Sequence, residues 1–170
     1  MRKVILFVAK SLDGYIAGPA GEIDWLFQDH DYGYAEFYAG VEYIVMGRKT
    51  YETALSFEEW PHPGKQTFVF TRTGTAKGRP EVSFVRDDVA SLVGRLRPGD
   101  GGHIWLVGGS ELTSAFVDAD LLDELVVSVH PVLLGAGIPL VQGASLSRTL
   151  RLKSVQSYES GLVQLAYTRR

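Results

Sequence analysis

Hydrophobic residues occur along this chain in short runs that alternate with amphipathic stretches. Runs that are apolar on both faces, such as residues 4–9, are typical of buried strands in a parallel sheet. The pattern predicts six such strands, at residues 4–9, 41–46, 67–71, 81–85, 103–107 and 125–132. In residues 162–168 apolar and polar side chains alternate, which predicts a half-buried strand. We expect this strand to form a hairpin with residues 150–158, turning near Ser160 and Gly161.

Four amphipathic stretches between these runs predict helices. The first is aromatic-rich and covers residues 29–40, and the second covers residues 51–55. The third is capped by Asp87 or Asp88, carries Val89, Leu92, Val93 and Leu96 on one face, and is stopped by Pro98-Gly99. The fourth opens at Gly108-Gly109 and continues through Phe116. Strands interleaved with helices predict a single α/β domain over residues 1–170, with a largely parallel sheet and helices on both faces.

Composition narrows the chemistry that the chain can carry. The 170 residues include no cysteine, which excludes disulfides, thiolate metal sites and a cysteine nucleophile. The four histidines are scattered without metal-ligand spacing, so we expect no metal site. The net charge of −3 argues against nucleic acid as a partner. The apolar run after Arg2 and Lys3 has only six residues, too short for a signal peptide or a membrane span, which predicts a cytoplasmic protein without a membrane partner.

The strongest candidate site is the junction Ile44-Val-Met-Gly-Arg-Lys-Thr50. A glycine ends a buried strand there, and two cations and a hydroxyl start the next helix. Free backbone N–H groups and the positive end of a helix favour a phosphate at such a place, and Arg48 can bind it with two hydrogen bonds. The alternative is that Thr50 is only an N-cap and that Arg48 and Lys49 are solvated.

A second junction, Ile104-Trp-Leu-Val-Gly-Gly-Ser-Glu111, has the same character. Paired glycines let the backbone approach a pyrophosphate closely, although a tight turn explains them equally well. Thr71-Arg72-Thr73 ends another strand with a cation and hydroxyls. If these strands are neighbours, three donor-rich ends converge on an extended polyphosphate. Neither the dinucleotide fingerprint G-x-G-x-x-G nor the nucleoside-triphosphatase phosphate loop is present.

The aromatic residues of the first helix have two possible roles. Tyr32, Tyr34, Phe37 and Tyr38 could line a pocket for a flat ring, or they could pack the helix against the sheet. The sequence alone leaves both open.

Several motifs together resemble the dihydrofolate reductase superfamily. They are Ser11-Leu-Asp-Gly-Tyr-Ile-Ala17, Val45-Met-Gly-Arg-Lys-Thr-Tyr-Glu52 and Val107-Gly-Gly-Ser-Glu-Leu112. Leu122-Asp-Glu-Leu125 and His130-Pro-Val-Leu-Leu-Gly135 are closer to its riboflavin-biosynthesis reductase branch. The resemblance spans nearly the whole chain and implies a three-layer dihydrofolate-reductase-like fold. Its central sheet would have about eight strands, mostly parallel, with a C-terminal antiparallel hairpin.

The resemblance further implies an NADPH-dependent reductase and assigns residues to its cofactor. Ala9 and Ile16 would lie against the nicotinamide, and Thr71 and Arg72 near the 2′-phosphate of the adenosine. Phosphates would be taken by Gly47, Arg48, Lys49, Thr50, Val107, Gly108, Gly109, Ser110, Glu111 and Leu112, and the Gly-Gly peptide is cis in the family. Asp13, Trp25 and Phe37 would belong to the substrate pocket.

The group that supports protonation of the substrate is less defined by the motifs. Dihydrofolate reductases use a helix carboxylate after a Trp-containing loop. Counting back from Gly47 reaches Asp31, whereas counting forward from Trp25 reaches His30, and Asp24 is a third candidate. Our hypothesis is Asp31, and the alternative is that this acidic loop only faces water.

Because the chain departs from both branches of the superfamily, its substrate stays open between a pterin-like and a ribosylamino-pyrimidine heterocycle. A different class of function is a nucleotide-binding module that keeps the fold without reductase turnover. A third, structural interpretation takes the glycines and cations as ordinary packing and surface residues. The riboflavin-pathway relatives associate through a sheet edge, so the closing hairpin implies a homodimer.

Overall fold

The computed structural model describes residues 1–73, 78–145 and 147–170, and these contain ten strands and four helices. The strands are β1 Val4–Ser11, β2 Tyr15–Ala17, β3 Val41–Gly47, β4 Gln66–Phe70, β5 Val82–Val85, β6 His103–Gly108, β7 Glu124–His130, β8 Ile138–Pro139, β9 Leu150–Ser157 and β10 Val163–Arg169. The helices are α1 Tyr34–Ala39, α2 Arg48–Leu55, α3 Val89–Leu96 and α4 Ser110–Asp118. No helix within the described ranges is long and apolar enough to cross a membrane.

Eight of the strands form one sheet, in the order β5-β4-β3-β6-β1-β7-β10-β9. The strands from β5 to β7 run parallel to one another, and β10 pairs antiparallel with both β7 and β9. The mostly parallel sheet with a closing antiparallel hairpin is thereby confirmed. β1 lies in the middle with β6 and β7 beside it, which explains why its sequence is apolar on both faces.

The sheet is the middle layer of three, because alternate residues of each strand face opposite sides. On one side an aliphatic layer joins Val45 of β3 to α3 and α4. On the other side, Ile44 and Met46 belong to an aromatic layer that contains Trp105 and Tyr51 of α2, with residues of α1 packed against it. The two apolar faces of the strands therefore support one helical pair each.

Two features differ from the sequence predictions. The predicted helix over residues 29–40 is shorter, since α1 begins only at Tyr34. Tyr32 and Gly33 have φ values of 52° and 75°, a left-handed backbone that no α-helix continues through. The small sheet of β2 and β8 was not predicted, because strands of two or three residues are too short for a period to show.

Asp88 rather than Asp87 caps α3, accepting a hydrogen bond from the Ser91 amide at 2.9 Å. Asp87 instead forms an ion pair with Arg95. The other predicted elements have their observed ends within three residues of the expected ones, and the largest difference is at α2, which begins at Arg48 rather than at Tyr51.

Candidate functional site

The three predicted donor-rich strand ends meet at one edge of the sheet. β4, β3 and β6 are consecutive, and the carboxyl ends of parallel strands lie on the same side. A Cβ placed on Gly47 would lie 3.8 Å from the Gly108 carbonyl oxygen and from the Gly109 nitrogen. The two glycine junctions are therefore in close contact, as the convergence hypothesis requires.

Two helices begin at this edge without side-chain caps. The N-cap of α2 is Gly47 and that of α4 is Gly109, and neither helix has a capping hydrogen bond from a side chain. Thr50 is the third residue of α2 rather than its N-cap, which excludes that alternative for its role. The first N–H groups of an uncapped helix are free to bind an anion, and the helix dipole favours it.

Ser110, the first residue of α4, carries a further unused donor. Its side chain is buried, and its Oγ has no hydrogen-bond partner within the described ranges. Ser114, one turn later, differs: its hydroxyl donates to the Ser110 carbonyl at 2.9 Å and accepts from the Gln142 amide at 2.9 Å. A buried hydroxyl without a partner costs about 1–3 kcal/mol, so a ligand oxygen beside Ser110 would remove a real penalty.

The predicted cations surround these helix ends. Arg48 hydrogen-bonds Thr73 and forms an ion pair with Glu52 at 2.7 Å, while Arg72 pairs with Glu111 at 3.1 Å. The Arg72 and Glu111 side chains are 91% and 73% exposed, and ion pairs of this kind contribute at most about 1 kcal/mol. Such a pair can open to let an anion bind. Lys49 is also exposed.

The remaining cofactor candidates occupy varied environments along the same edge. Gly108 has a φ of 117°, which a residue with a Cβ rarely adopts, and its peptide bond to Gly109 is cis. Thr71 and Leu112 are buried, while Val107 and Ile16 are half-buried. The Thr71 hydroxyl donates to the Thr73 carbonyl at 2.8 Å and so holds the strand end in a turn.

Next to this edge, a cavity of about 360 Å³ opens beside β1, β7 and β10. Its volume is in the range of small-molecule sites. The lining residues are Phe7, Ala9, Leu26, Phe27, Gln28, His30, Asp31, Tyr32, Tyr34, Ser128, His130 and Leu162. Of the predicted site residues, Ala9, His30 and Asp31 are thus brought to one cavity. Among the described residues, no group of three or more His, Asp or Glu side chains is arranged to hold a metal ion.

The aromatic residues of the first helical segment divide between both roles that the sequence left open. Tyr32 and Tyr34 line the cavity. Phe37 instead stacks on Phe7 at a ring distance of 4.3 Å, and Tyr38 packs edge-on against Trp105. The predicted pocket residue Phe37 therefore lies behind the cavity wall and supports it through Phe7.

The three candidates for the protonating group occupy different places. The Asp31 carboxylate is exposed at the cavity and accepts hydrogen bonds from the Ala35 amide at 3.1 and 3.2 Å, just before α1. His30 also lines the cavity, with its ring near those of Tyr32 and Tyr158. Asp24 is exposed and is not among the residues that line the cavity.

Asp13 and Trp25, the other predicted pocket residues, do not line the cavity. The Asp13 carboxylate accepts hydrogen bonds from the Ser11 hydroxyl at 2.6 Å and from the amides of Leu134 and Gly135. The Ser11 hydrogen bond is the main reason that its pKa lies below the usual value. Asp13 thus fixes the loop after β1. Trp25 packs edge-on against His130, a cavity residue.

Sequence reasoning did not single out several of the cavity residues, among them the polar residues Ser128 and His130. Both are buried, and their side chains are neighbours on the same face of β7. Their spacing was the available signal, because two polar residues two positions apart inside an apolar run share one face of a strand. Gln164 connects this face to the loop before α1, since its Nε2 donates to the Ser128 hydroxyl and to the Tyr32 carbonyl, each at 3.0 Å.

His130 is packed between aromatic rings and backbone. The rings of Trp25 and Phe27 stand edge-on to it at 5.3 and 5.0 Å, and its Nδ1 lies 3.3 Å from the Ser128 carbonyl oxygen. Burial lowers the pKa of the imidazole, against the opposing effects of the Ser128 and Lys10 carbonyls and of Asp29. The ring is therefore neutral near pH 7.

Comparison with known proteins identifies the family of this chain. The family model of the RibD C-terminal domain matches residues 2–164. Two Bacillus subtilis (strain 168) proteins, both named as uncharacterized, align over almost their whole lengths. YwjB is 37% identical and covers 99% of this chain and 98% of its own. YyaP is 33% identical and covers 98% of this chain and 94% of its own.

Solved structures show the same fold. A putative riboflavin biosynthesis protein from Shewanella sp. PV-4 superposes with a TM-score of 0.88 at 30% identity, over 99% of both chains. A diaminohydroxyphosphoribosylaminopyrimidine deaminase/5-amino-6-(5-phosphoribosylamino)uracil reductase from Thermotoga maritima has a TM-score of 0.76 at 18% identity. This chain covers 57% of that longer one. Acinetobacter baumannii RibD, of which it covers 58%, has a TM-score of 0.74 at 18% identity.

Proposed function

We propose that this chain, which belongs to the RibD C-terminal domain family, is an NADPH-dependent reductase that transfers hydride to a pterin-like or ribosylamino-pyrimidine heterocycle. The observation that carries the proposal is the edge formed by β4, β3 and β6. Two uncapped helix N-termini meet there beside a buried serine hydroxyl that has no partner among the described residues. Free N–H groups, a free hydroxyl and nearby arginines fit the chemistry of a dinucleotide pyrophosphate.

In this proposal each group at the edge has a distinct task. The N-termini of α2 and α4, with Ser110, hold the pyrophosphate, and Arg48 neutralises its charge. Thr71 and Arg72 bind the 2′-phosphate, which favours NADPH over NADH. Bound NADPH supplies a hydride, so the chain itself only has to position the substrate and provide a proton.

The cavity is the proposed place for the substrate ring. Ala9 lies in its wall and is the residue proposed to contact the nicotinamide, so the two rings can meet there. Asp31 supports protonation of the heterocycle. It is the one carboxylate among the described residues that line the cavity, and its hydrogen bonds with the Ala35 amide hold it in place.

The experiment combines binding with turnover. Titration of NADPH is followed through tryptophan fluorescence, because Trp25 and Trp105 lie around the cavity and its supporting aromatic layer. NADPH oxidation is then measured with dihydrofolate, dihydropterins and the ribosylamino-pyrimidine. Oxidation with any of these supports the reductase. Binding without oxidation supports a nucleotide-binding module instead, and the absence of binding contradicts the proposal.

The proposal includes a cytoplasmic location and a homodimer that forms through the closing hairpin. β9 is the outermost strand on its side of the sheet, and its Leu152 and Val155 are 53% and 55% exposed. An exposed apolar edge strand is a surface on which a second copy can pair. Analytical ultracentrifugation tests this: a species of twice 18.7 kDa is expected, and a monomer at micromolar concentration contradicts it.

A further inference from the structure

The charged side chains around the cavity differ from those at the edge formed by the ends of β4, β3 and β6, where arginines and a lysine lie. Among the described residues that line the cavity, none is a lysine or an arginine, and the one carboxylate is Asp31. Asp29 adjoins it in the same loop. Glu159 lies in the hairpin turn whose Tyr158 and Ser160 contact Tyr32 at the cavity wall. The carboxylates around the cavity therefore have no lysine or arginine beside them in the described part of its lining.

Among the described residues, the lysine and arginine side chains on β1 and after β3 and β4 do not face the cavity. Phe7 and Ala9 of β1 face the cavity, and β1 pairs with β7 in a continuous register. Since side chains alternate along a strand, Lys10 points to the opposite face of the sheet. Arg48, Lys49 and Arg72 follow β3 and β4, and β6 separates those strands from β1.

The polar groups deep in the cavity are uncharged. The Ser128 hydroxyl accepts from Gln164 and keeps its own hydrogen for a ligand. His130 completes this polar end, while Phe27, Tyr34 and Leu162 supply flat apolar walls. Aromatic walls with a few neutral hydrogen-bonding groups fit a planar ring with amide-like edges.

We infer that the cavity selects a planar heterocycle that carries no phosphate. The inference rests on the proposed function and narrows it, because a phosphorylated ribosylamino-pyrimidine would bring a dianion next to Asp31 and Asp29 where no described lysine or arginine lines the cavity. Ser128 and His130 bind the edge of the ring. The substrate class thus differs from that of the Thermotoga maritima protein, whose name specifies a phosphoribosylamino compound.

A matched ligand pair tests this. The protein saturated with NADP⁺ is titrated with 5-amino-6-(5-phosphoribosylamino)uracil and with the same compound after phosphatase treatment, and binding is followed through Trp25 fluorescence. We expect the dephosphorylated compound to bind at least tenfold more tightly. Equal or tighter binding of the phosphorylated compound would overturn the inference. NADPH affinity, measured beforehand without substrate, reports on the proposed function separately.

A gain-of-function variant provides a second test of the inference. Gln28 is exposed and lines the cavity, so Gln28→Arg places a guanidinium in a lining that has no lysine or arginine among the described residues. We expect it to strengthen binding of the phosphorylated compound about tenfold relative to binding of the dephosphorylated one. Gln66→Arg, at the amino end of β4 and away from this edge, makes the same change of charge and should alter neither. No gain from Gln28→Arg would contradict the inferred charge selection.

Discussion

The carboxyl edge of the sheet has two halves that differ in charge and in construction. Beyond β4, β3 and β6 there are bare glycines, uncapped helix ends and exposed arginines. Beside β1, β7 and β10 there is an aromatic cavity with a neutral histidine, a serine and a carboxylate. One half suits a polyanion and the other an uncharged ring. This difference shows that a chain of net charge −3 can still concentrate positive charge at the site where an anionic ligand would bind.

The largest effect is expected from substitution of Asp31, the carboxylate of the cavity half. Asp31→Asn keeps the shape of the side chain and removes its ability to carry a proton to the substrate. Turnover should fall by about 100-fold or more, the typical contribution of a general acid, while NADPH affinity is unchanged. Steady-state kinetics and NADPH titration measure the two. Glu36→Gln, an exposed carboxylate on α1, is the control, and unchanged turnover in Asp31→Asn across pH would refute the role of Asp31.

Buried histidines provide the next test, since His130 lines the cavity and His62 packs in the aromatic layer. His62 lies in the aromatic layer between Trp60 and Trp105, at ring distances of 5.4 and 5.2 Å, and burial lowers its pKa to about 4. The unfolded chain takes up a proton first, because its histidine keeps a pKa near 6.5. The free energy of unfolding should therefore fall by about 3 kcal/mol as the pH drops from 6.5 to 4.

Urea denaturation across this pH range measures the decrease in the free energy of unfolding. His62→Phe fits the same aromatic layer and cannot be protonated, so its stability should depend less on pH below 6.5. His130 contributes in the same direction and remains in both proteins, so the difference between them isolates His62. Identical pH profiles would show that His62 is not kept neutral by the fold.

The cationic half is tested by Arg72→Ala. A hydrogen bond to a charged group contributes about 1.5–3 kcal/mol, so NADPH affinity should fall roughly 10- to 100-fold. NADH lacks the 2′-phosphate, and its affinity should change less than threefold. The control is Arg95→Ala, which removes a different surface arginine, one that belongs to α3. Equal losses for both cofactors would contradict the assignment of the 2′-phosphate to this strand end.

The smallest effect is expected at Ser110. Ser110→Ala removes a buried hydroxyl that has no partner within the described ranges, so the unfolding free energy should not decrease. NADPH affinity should nevertheless fall about 3- to 10-fold. Ser114→Ala should do the reverse, because its hydroxyl bonds the protein at both ends. A stability loss in Ser110→Ala without a change in affinity would show that Ser110 serves only the fold.

The fold could be predicted largely because the parallel strands are long apolar runs. Residues 4–9 and 41–46 show their burial in the sequence itself. The strand-end half could be found for a related reason: glycines and cations directly after a buried strand form one local pattern. Only the adjacency of β4, β3 and β6, on which their convergence depends, had to come from the structure.

The cavity half was predicted less completely because it is built from distant segments. Ser128 on β7, Leu162 before β10 and residues 26–34 come together only in the folded chain. Asp13 shows the opposite situation. Its motif is recognisable, but its hydrogen bonds with Leu134 and Gly135 give it a structural task that no local pattern reveals.

The most direct test is a crystal structure of the protein with bound NADP⁺. We expect the pyrophosphate between the N-termini of α2 and α4, within hydrogen-bonding distance of Ser110, and the 2′-phosphate beside Arg72. The nicotinamide should contact Ala9 and face the cavity. A cofactor bound with its phosphates elsewhere, or with its nicotinamide turned away from the cavity, would contradict the division of the edge into a cofactor half and a substrate half.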